Sequence, residues 1–110
     1  MKHKKTNKEE LDKMIEDAIV DCKDDDEAFM GIFYTLEDNL SFPFQAKILC
    51  ERVEVVDIYE NESSISPGII AKIRKKGRLH KIRLEELKLE KDDTKNSKWV
   101  EMYHYWISRF

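Results

Sequence analysis

The sequence predicts an α+β fold: two N-terminal helices, a small antiparallel β-barrel and a C-terminal helix. Three observations predict it. Apolar residues recur at helical spacing through the first forty positions. Beyond Pro43 the period changes to alternation, in short segments joined by tight turns. An aromatic stripe then restores helical spacing at the C-terminal end. A chain of 110 residues suffices for one modest core and not for two, so residues 1–110 are read as a single domain.

Residues 1–6 are expected to be disordered, and the opening MKHKKTNKEE lacks the apolar core of a signal peptide. Thr6 with Glu9 fits a capping box. Leu11, Met14, Ile15, Ala18, Ile19 and Cys22 form an apolar stripe, so a first helix is predicted from about Asn7 to Asp21. Glu9, Asp12, Glu16 and Asp17 fall on its other, solvated face. A second helix is predicted from about Asp26 to Asn39. Phe29, Ile32, Phe33, Leu36 and Leu40 fall on one side of it, and Glu27, Gly31, Tyr34 and Asp38 on the other.

Phe44, Ala46 and Ile48 alternate with polar neighbours, and Val53, Val55 and Ile58 continue in a further extended segment. Ser66-Pro67-Gly68 marks a loop. Ile69 to Arg74 and Leu79 to Leu84 then read as a hairpin closed at Lys75-Lys76-Gly77-Arg78. Leu84 to Leu87 reads as one helical turn before a last short strand. Ser97 is the expected cap of a closing helix whose Trp99, Met102, Tyr103, Trp106, Ile107 and Phe110 are read as core.

Net charge is only −3, but it is segregated along the chain. From Glu9 to Glu27 there are ten acidic residues against two lysines, whereas Lys72 to Arg83 holds seven Lys or Arg and no acid. No apolar run approaches membrane-spanning length, so no membrane role is expected. Cys22 and Cys50 show no metal-binding or redox spacing; buried free thiols in a reducing cytoplasm are expected. His3, His80 and His104 lack nucleophile or carboxylate partners at a recognisable spacing, and no Gly-rich phosphate loop exists. The chain is therefore not expected to be an enzyme.

The carboxylates suit a hard cation, because calcium takes six to eight oxygen ligands with flexible geometry. No helix–loop–helix calcium hand is present. Starting that loop at Asp24 puts Phe29 where glycine is required. Two carboxylate clusters flank the second helix. Asp24 to Glu27 sit at its N-terminus, where capping and the macrodipole already favour negative charge, so Asp26 and Glu27 are metal candidates with a structural account beside them. Glu37 and Asp38 sit at the opposite end, where negative charge is disfavoured unless a cation compensates it. The eleven residues from Glu27 to Asp38 span roughly 16 Å, so the clusters cannot share an ion. Glu37, Asp38 and Asn39 are read as half of a calcium site. Glu54, Asp57, Glu60 or Glu62, from the next extended segment, are read as the other half.

The stretch EAFMGIFYTLEDNLSFPFQA, from Glu27 to Ala46, resembles the core motif of a bacterial calcium-binding family known from cyanobacteria, where a member is linked to heterocyst calcium signalling. The closing Trp99, Tyr103, His104, Tyr105 and Trp106 resemble that family's aromatic C-terminal helix, and the likeness runs over about residues 10 to 108. It implies helices on a Src-homology-3-like barrel that binds calcium without a calcium hand. Of the candidate ligands, Glu37, Asp38 and Asn39 lie inside the matched motif. The leading expectation is a cytoplasmic calcium buffer or sensor. Its rival is a small barrel that tracks nucleic-acid phosphates with Lys72, Arg74, Lys75, Lys76, Arg78, Lys81 and Arg83. The rival is the weaker, because no aromatic residue interrupts that basic run to stack on bases.

Overall fold

The computed structural model describes residues 7–90 and 93–110, so the disorder expected for residues 1–6 and the Thr6 cap lie outside the described residues. Helix α1 (Lys8–Ala18) is capped instead by Asn7, whose side chain accepts from Glu10 N at 2.8 Å. It ends earlier than Asp21 because the chain turns at Ile19, and Cys22 N bonds to Ile19 O at 2.9 Å. Helix α2 (Asp25–Asn39) then passes back against it. A Cβ on Gly31 would lie 2.5 Å from Ala18 O, so a glycine is what permits this close approach. Gly31 is thus part of the helix–helix contact, although its helical phase puts it opposite the Phe29–Leu36 stripe.

The strands are β1 (Phe44–Ile48), β2 (Glu51–Ser64), β3 (Gly68–Lys75), β4 (Arg78–Arg83) and β5 (Lys88–Leu89). They form one antiparallel sheet in the order β4-β3-β2-β1-β5. The predicted closed barrel is not formed. β5 is two residues long and, among the described residues, pairs with Ala46 and Lys47 of β1 alone, so β4 and β5 remain separate edges. The helical turn expected before the last strand is present as a 3₁₀ turn at Leu84–Glu86.

Two features of the sheet had no sequence signal. The β1–β2 turn runs through Leu49 and Cys50 with φ of 48° and 67°, left-handed conformations that usually call for Gly or Asn. The expected turn at Lys76 and Gly77 uses the same backbone, with φ of 51° and 77°. Second, β2 carries a bulge: Val55 pairs with Ile73, but Asp57 pairs with Lys72, which leaves Val56 as the extra residue. The bulge resets the alternation, so that Val53, Val55 and then Ile58 all face the core.

Helix α3 (Thr94–Ile107) is capped by Asp93, not Ser97. Asp93 accepts from both the backbone and the side-chain nitrogen of Asn96, each at 3.0 Å, and Ser97 is buried within the helix. The predicted apolar faces meet in one core: Leu11 and Ile15 of α1, Phe29, Ile32, Phe33 and Leu36 of α2, the inward sheet residues, and Met102, Tyr103 and Trp106 of α3; Phe110, expected in the core, is exposed because it lies beyond the end of α3. Both cysteines are free, but only Cys22 is partly buried. Its thiol donates to Glu27 O at 3.3 Å, and burial, reinforced by Glu27, Asp21 and Asp24, pushes its pKa up. Cys50 is exposed, contrary to expectation, because it sits in the β1–β2 turn.

Candidate metal site

The two acidic ends of α2 are built differently. At the N-terminus Asp24 accepts from Glu27 N at 2.8 Å, and the Glu27 carboxylate reaches back to Lys23 N at 3.1 Å. Glu27 is thereby engaged in a reciprocal cap, and Asp25 and Asp26 lie in the first turn, where the macrodipole favours them. Folding alone accounts for this cluster.

At the C-terminus the ledger reverses. Glu37 and Asp38 are exposed, and the last turn of α2 holds no basic residue to balance them. Asn39 donates its side-chain nitrogen to Thr35 O at 2.8 Å, so its amide oxygen is the atom it can offer a ligand. Thr35 in turn bonds back to Gly31 O at 2.8 Å. Immediately beyond, Ser41 N donates to Oδ1 of the buried Asn96 at 2.8 Å, which ties the helix exit to the start of α3. Asn96 carries no motif, and nothing in the sequence nominated it.

The bulge in β2 decides which strand carboxylates approach this helix end. Past Ile58, the core-facing side of β2 continues at Glu60. There Glu60 Oε2 accepts from the Tyr34 hydroxyl at 2.8 Å. Tyr34 precedes Glu37 by three residues and Asp38 by four, so all three share one side of α2. The Glu60 hydrogen bond raises the Tyr34 pKa, aided by desolvation and by the charges of Glu60 and Glu37. The phenol therefore stays protonated and acts as the donor.

The other strand candidates are placed elsewhere. Glu54 alternates with the inward Val53 and Val55, and on the opposite face it pairs with Arg74 at 2.6 Å. Asp57 registers with Lys72 on that same outer face, and its Oδ1 accepts from Ile58 N at 2.9 Å. Glu62 pairs with Lys81 at 2.8 Å. Of the four alternatives for the second half of the site, Glu60 alone among the described residues meets α2. No group of three or more His, Cys, Asp or Glu among the described residues is already close enough to hold a metal. The donor chemistry suits calcium all the same: carboxylates and an amide oxygen, exposed, with no salt bridge to Glu37, Asp38 or Glu60 among the described residues.

The basic hairpin is largely answered from within the sheet. Arg74 pairs with Glu54, Lys75 with Glu51 and Lys81 with Glu62, while Lys72 and Lys81 lie 5.4 and 5.1 Å from the centroid of the Tyr59 ring. Lys76, Arg78 and Arg83 complete the patch along β4 and its turn. A cleft of about 460 Å³ beside Pro43 and Phe44 also holds carboxylates, but Glu90 faces Arg52 at 3.3 Å and Asp93 spends both oxygens on Asn96.

No curated protein sequence matches the chain. Two solved structures share its fold at 22% identity. One is the crystal structure of Anabaena CcbP, with a TM-score of 0.74 over 98% of this chain and 96% of that one. The other is a calcium-binding protein in its calcium-binding form, with a TM-score of 0.75 over 94% of this chain and 93% of that one. A family model described as calcium binding and named for CcbP matches residues 12–107. The chain belongs to that calcium-binding family.

Proposed function

We propose that this protein binds a calcium ion through Glu37 and Asp38 at the C-terminal end of α2 together with Glu60 of β2. The Asn39 amide oxygen and water complete the shell, and the protein serves as a cytoplasmic calcium buffer or sensor. The observation that carries this reading is the hydrogen bond from Tyr34 of α2 to Glu60, one turn before a helix end whose last turn holds Glu37 and Asp38 and no basic residue. A divalent cation there offsets both the carboxylate repulsion and the unfavourable dipole. Glu54, Asp57, Asp26 and Glu27 stand outside this site, each occupied by a structural neighbour or distant from it. Because the carboxylates are exposed and must draw together on binding, a modest affinity is expected. The two unpaired cysteines agree with a reducing compartment.

Following backbone amides by NMR during calcium addition to the metal-free protein tests the proposal. Shifts should concentrate over residues 37–41 and around Glu60. Magnesium should act more weakly, since its tight octahedral shell tolerates an improvised cage poorly. A flat titration to millimolar calcium, or shifts confined to Asp24–Glu27, would overturn it.

A further inference from the structure

One end of the sheet carries two tight turns side by side. β1 and β2 turn back at Leu49 and Cys50, and β3 and β4 at Lys76 and Gly77. Because β1, β2 and β3 alternate in direction, both turns fall on one rim, and a salt bridge from Lys75 to Glu51 ties them together. Folding does not account for the leucines found there. Leu49 is 94% exposed, and Leu79, just past the second turn, is 54% exposed. Leu49 adds nothing to the core, and its φ of 48° is backbone that Asn or Gly adopts at lower cost. Around them, residues 47–52 and 75–79 hold five cations, Lys47, Arg52, Lys75, Lys76 and Arg78, against one acid, Glu51. Lys75 answers Glu51 and Arg52 answers Glu90. Lys47, Lys76 and Arg78 are exposed and have no acidic partner among the described residues.

We propose that this rim docks on an anionic lipid surface: Leu49 enters the acyl boundary while Lys47, Lys76 and Arg78 lie among the phosphate headgroups. An apolar tip ringed by cations matches the layering of that surface, where anionic headgroups cover hydrocarbon. A nucleic acid offers the same phosphates but nothing for a projecting leucine. Neither rim segment holds an aromatic side chain to stack on bases. Docking of this kind needs no spanning segment, and no helix among the described residues is long and apolar enough to be one. The rim shares no residue with the calcium site at the end of α2, so the two readings stand or fall separately.

Flotation of the full chain with vesicles, in the absence of calcium, tests it. Phosphatidylcholine vesicles with about one third phosphatidylglycerol should carry the protein at low salt and release it as salt screens the headgroups. Pure phosphatidylcholine vesicles should carry little. Lys76→Ala together with Arg78→Ala should lower affinity about 25-fold, at about fivefold for each cation. Leu49→Asn should lower it about tenfold through lost apolar burial. Its urea midpoint should nevertheless hold or rise, because Asn suits the left-handed turn. No flotation with the anionic vesicles, or equal flotation with the neutral ones, would overturn the proposal. A Leu49→Asn variant that floats as well as the wild type would also overturn it; if a single-stranded oligonucleotide then competes with the vesicles, the rim is a nucleic-acid surface. A lowered urea midpoint for Leu49→Asn would assign Leu49 to folding and overturn its docking role.

Discussion

Removing one oxygen from Tyr103 should destabilise the protein more than an exposed tyrosine's loss would suggest. The Tyr103 hydroxyl accepts from Ile69 N and donates to Glu85 Oε1, both at 2.9 Å. Tyr103 and Ile69 are wholly buried, so no water can take over the bond to the Ile69 N–H. The surroundings are tight as well: a Cβ on Gly68 would come within 2.6 Å of that hydroxyl and 2.3 Å of Glu85 Oε1, and Gly68 sits at φ +100°. Burial first, with the Glu85 charge and hydrogen bond added, drives the phenol's pKa well above its usual range, so it remains a donor at any physiological pH. Tyr103→Phe strands the Ile69 N–H, at about 1–3 kcal/mol, and loses a bond to a charged acceptor worth about 1.5–3 kcal/mol. The two overlap, because Glu85 is only partly buried and regains water. A net loss of about 2–4 kcal/mol follows, a large share of the roughly 5–15 kcal/mol that holds a domain folded. Urea unfolding followed by tryptophan fluorescence should show a lower midpoint with an unchanged slope. A loss under about 0.5 kcal/mol, the range of ordinary surface changes, would refute the reasoning.

That network also marks how far the sequence could be read. The helices were legible because long apolar stripes leave little alternative, and Phe29, Ile32, Phe33 and Leu36 lie where their period put them. Alternation likewise located the β3–β4 hairpin, with Gly77 as the turn signal. The β1–β2 turn escaped because Leu49 and Cys50 adopt left-handed backbone that neither residue favours. The barrel was an inference from short strands joined by tight turns, and the pairing among the described residues leaves the sheet open. At the proposed site, the macrodipole argument alone singled out the acidic end of α2. Its partner was not, because a bulge between Val55 and Asp57 chooses the face on which Glu60 emerges, and bulges have no dependable sequence mark. Glu54 and Glu62 looked equivalent to Glu60 until strand register placed Arg74 and Lys81 beside them. Tyr34 went without a role for a similar reason: a lone tyrosine on a polar face acquires meaning only from what stands opposite.

Two further predictions follow from charge. Burial, opposed by the Glu85 charge, the Leu84 carbonyl and the Glu101 charge, holds the His104 pKa below its ordinary 6.5. As pH falls below that value the unfolded chain takes up the proton first, so stability declines; His104→Gln should flatten this acid slope in urea midpoints, and an unchanged slope would refute it. Asp38→Asn tests the site itself. Asp38 lies in the last turn of α2 with no basic residue there, so neutralising it relieves an unfavourable charge–dipole interaction. The metal-free protein should then keep its urea midpoint or gain slightly. Calcium affinity should fall, because a neutral amide replaces a carboxylate ligand. A residue retained for folding cannot give that pair of results, since removing it would lower stability whether or not calcium is present. The opposite pair, a destabilised metal-free protein with calcium binding intact, would make Asp38 a structural partner and move the ion elsewhere.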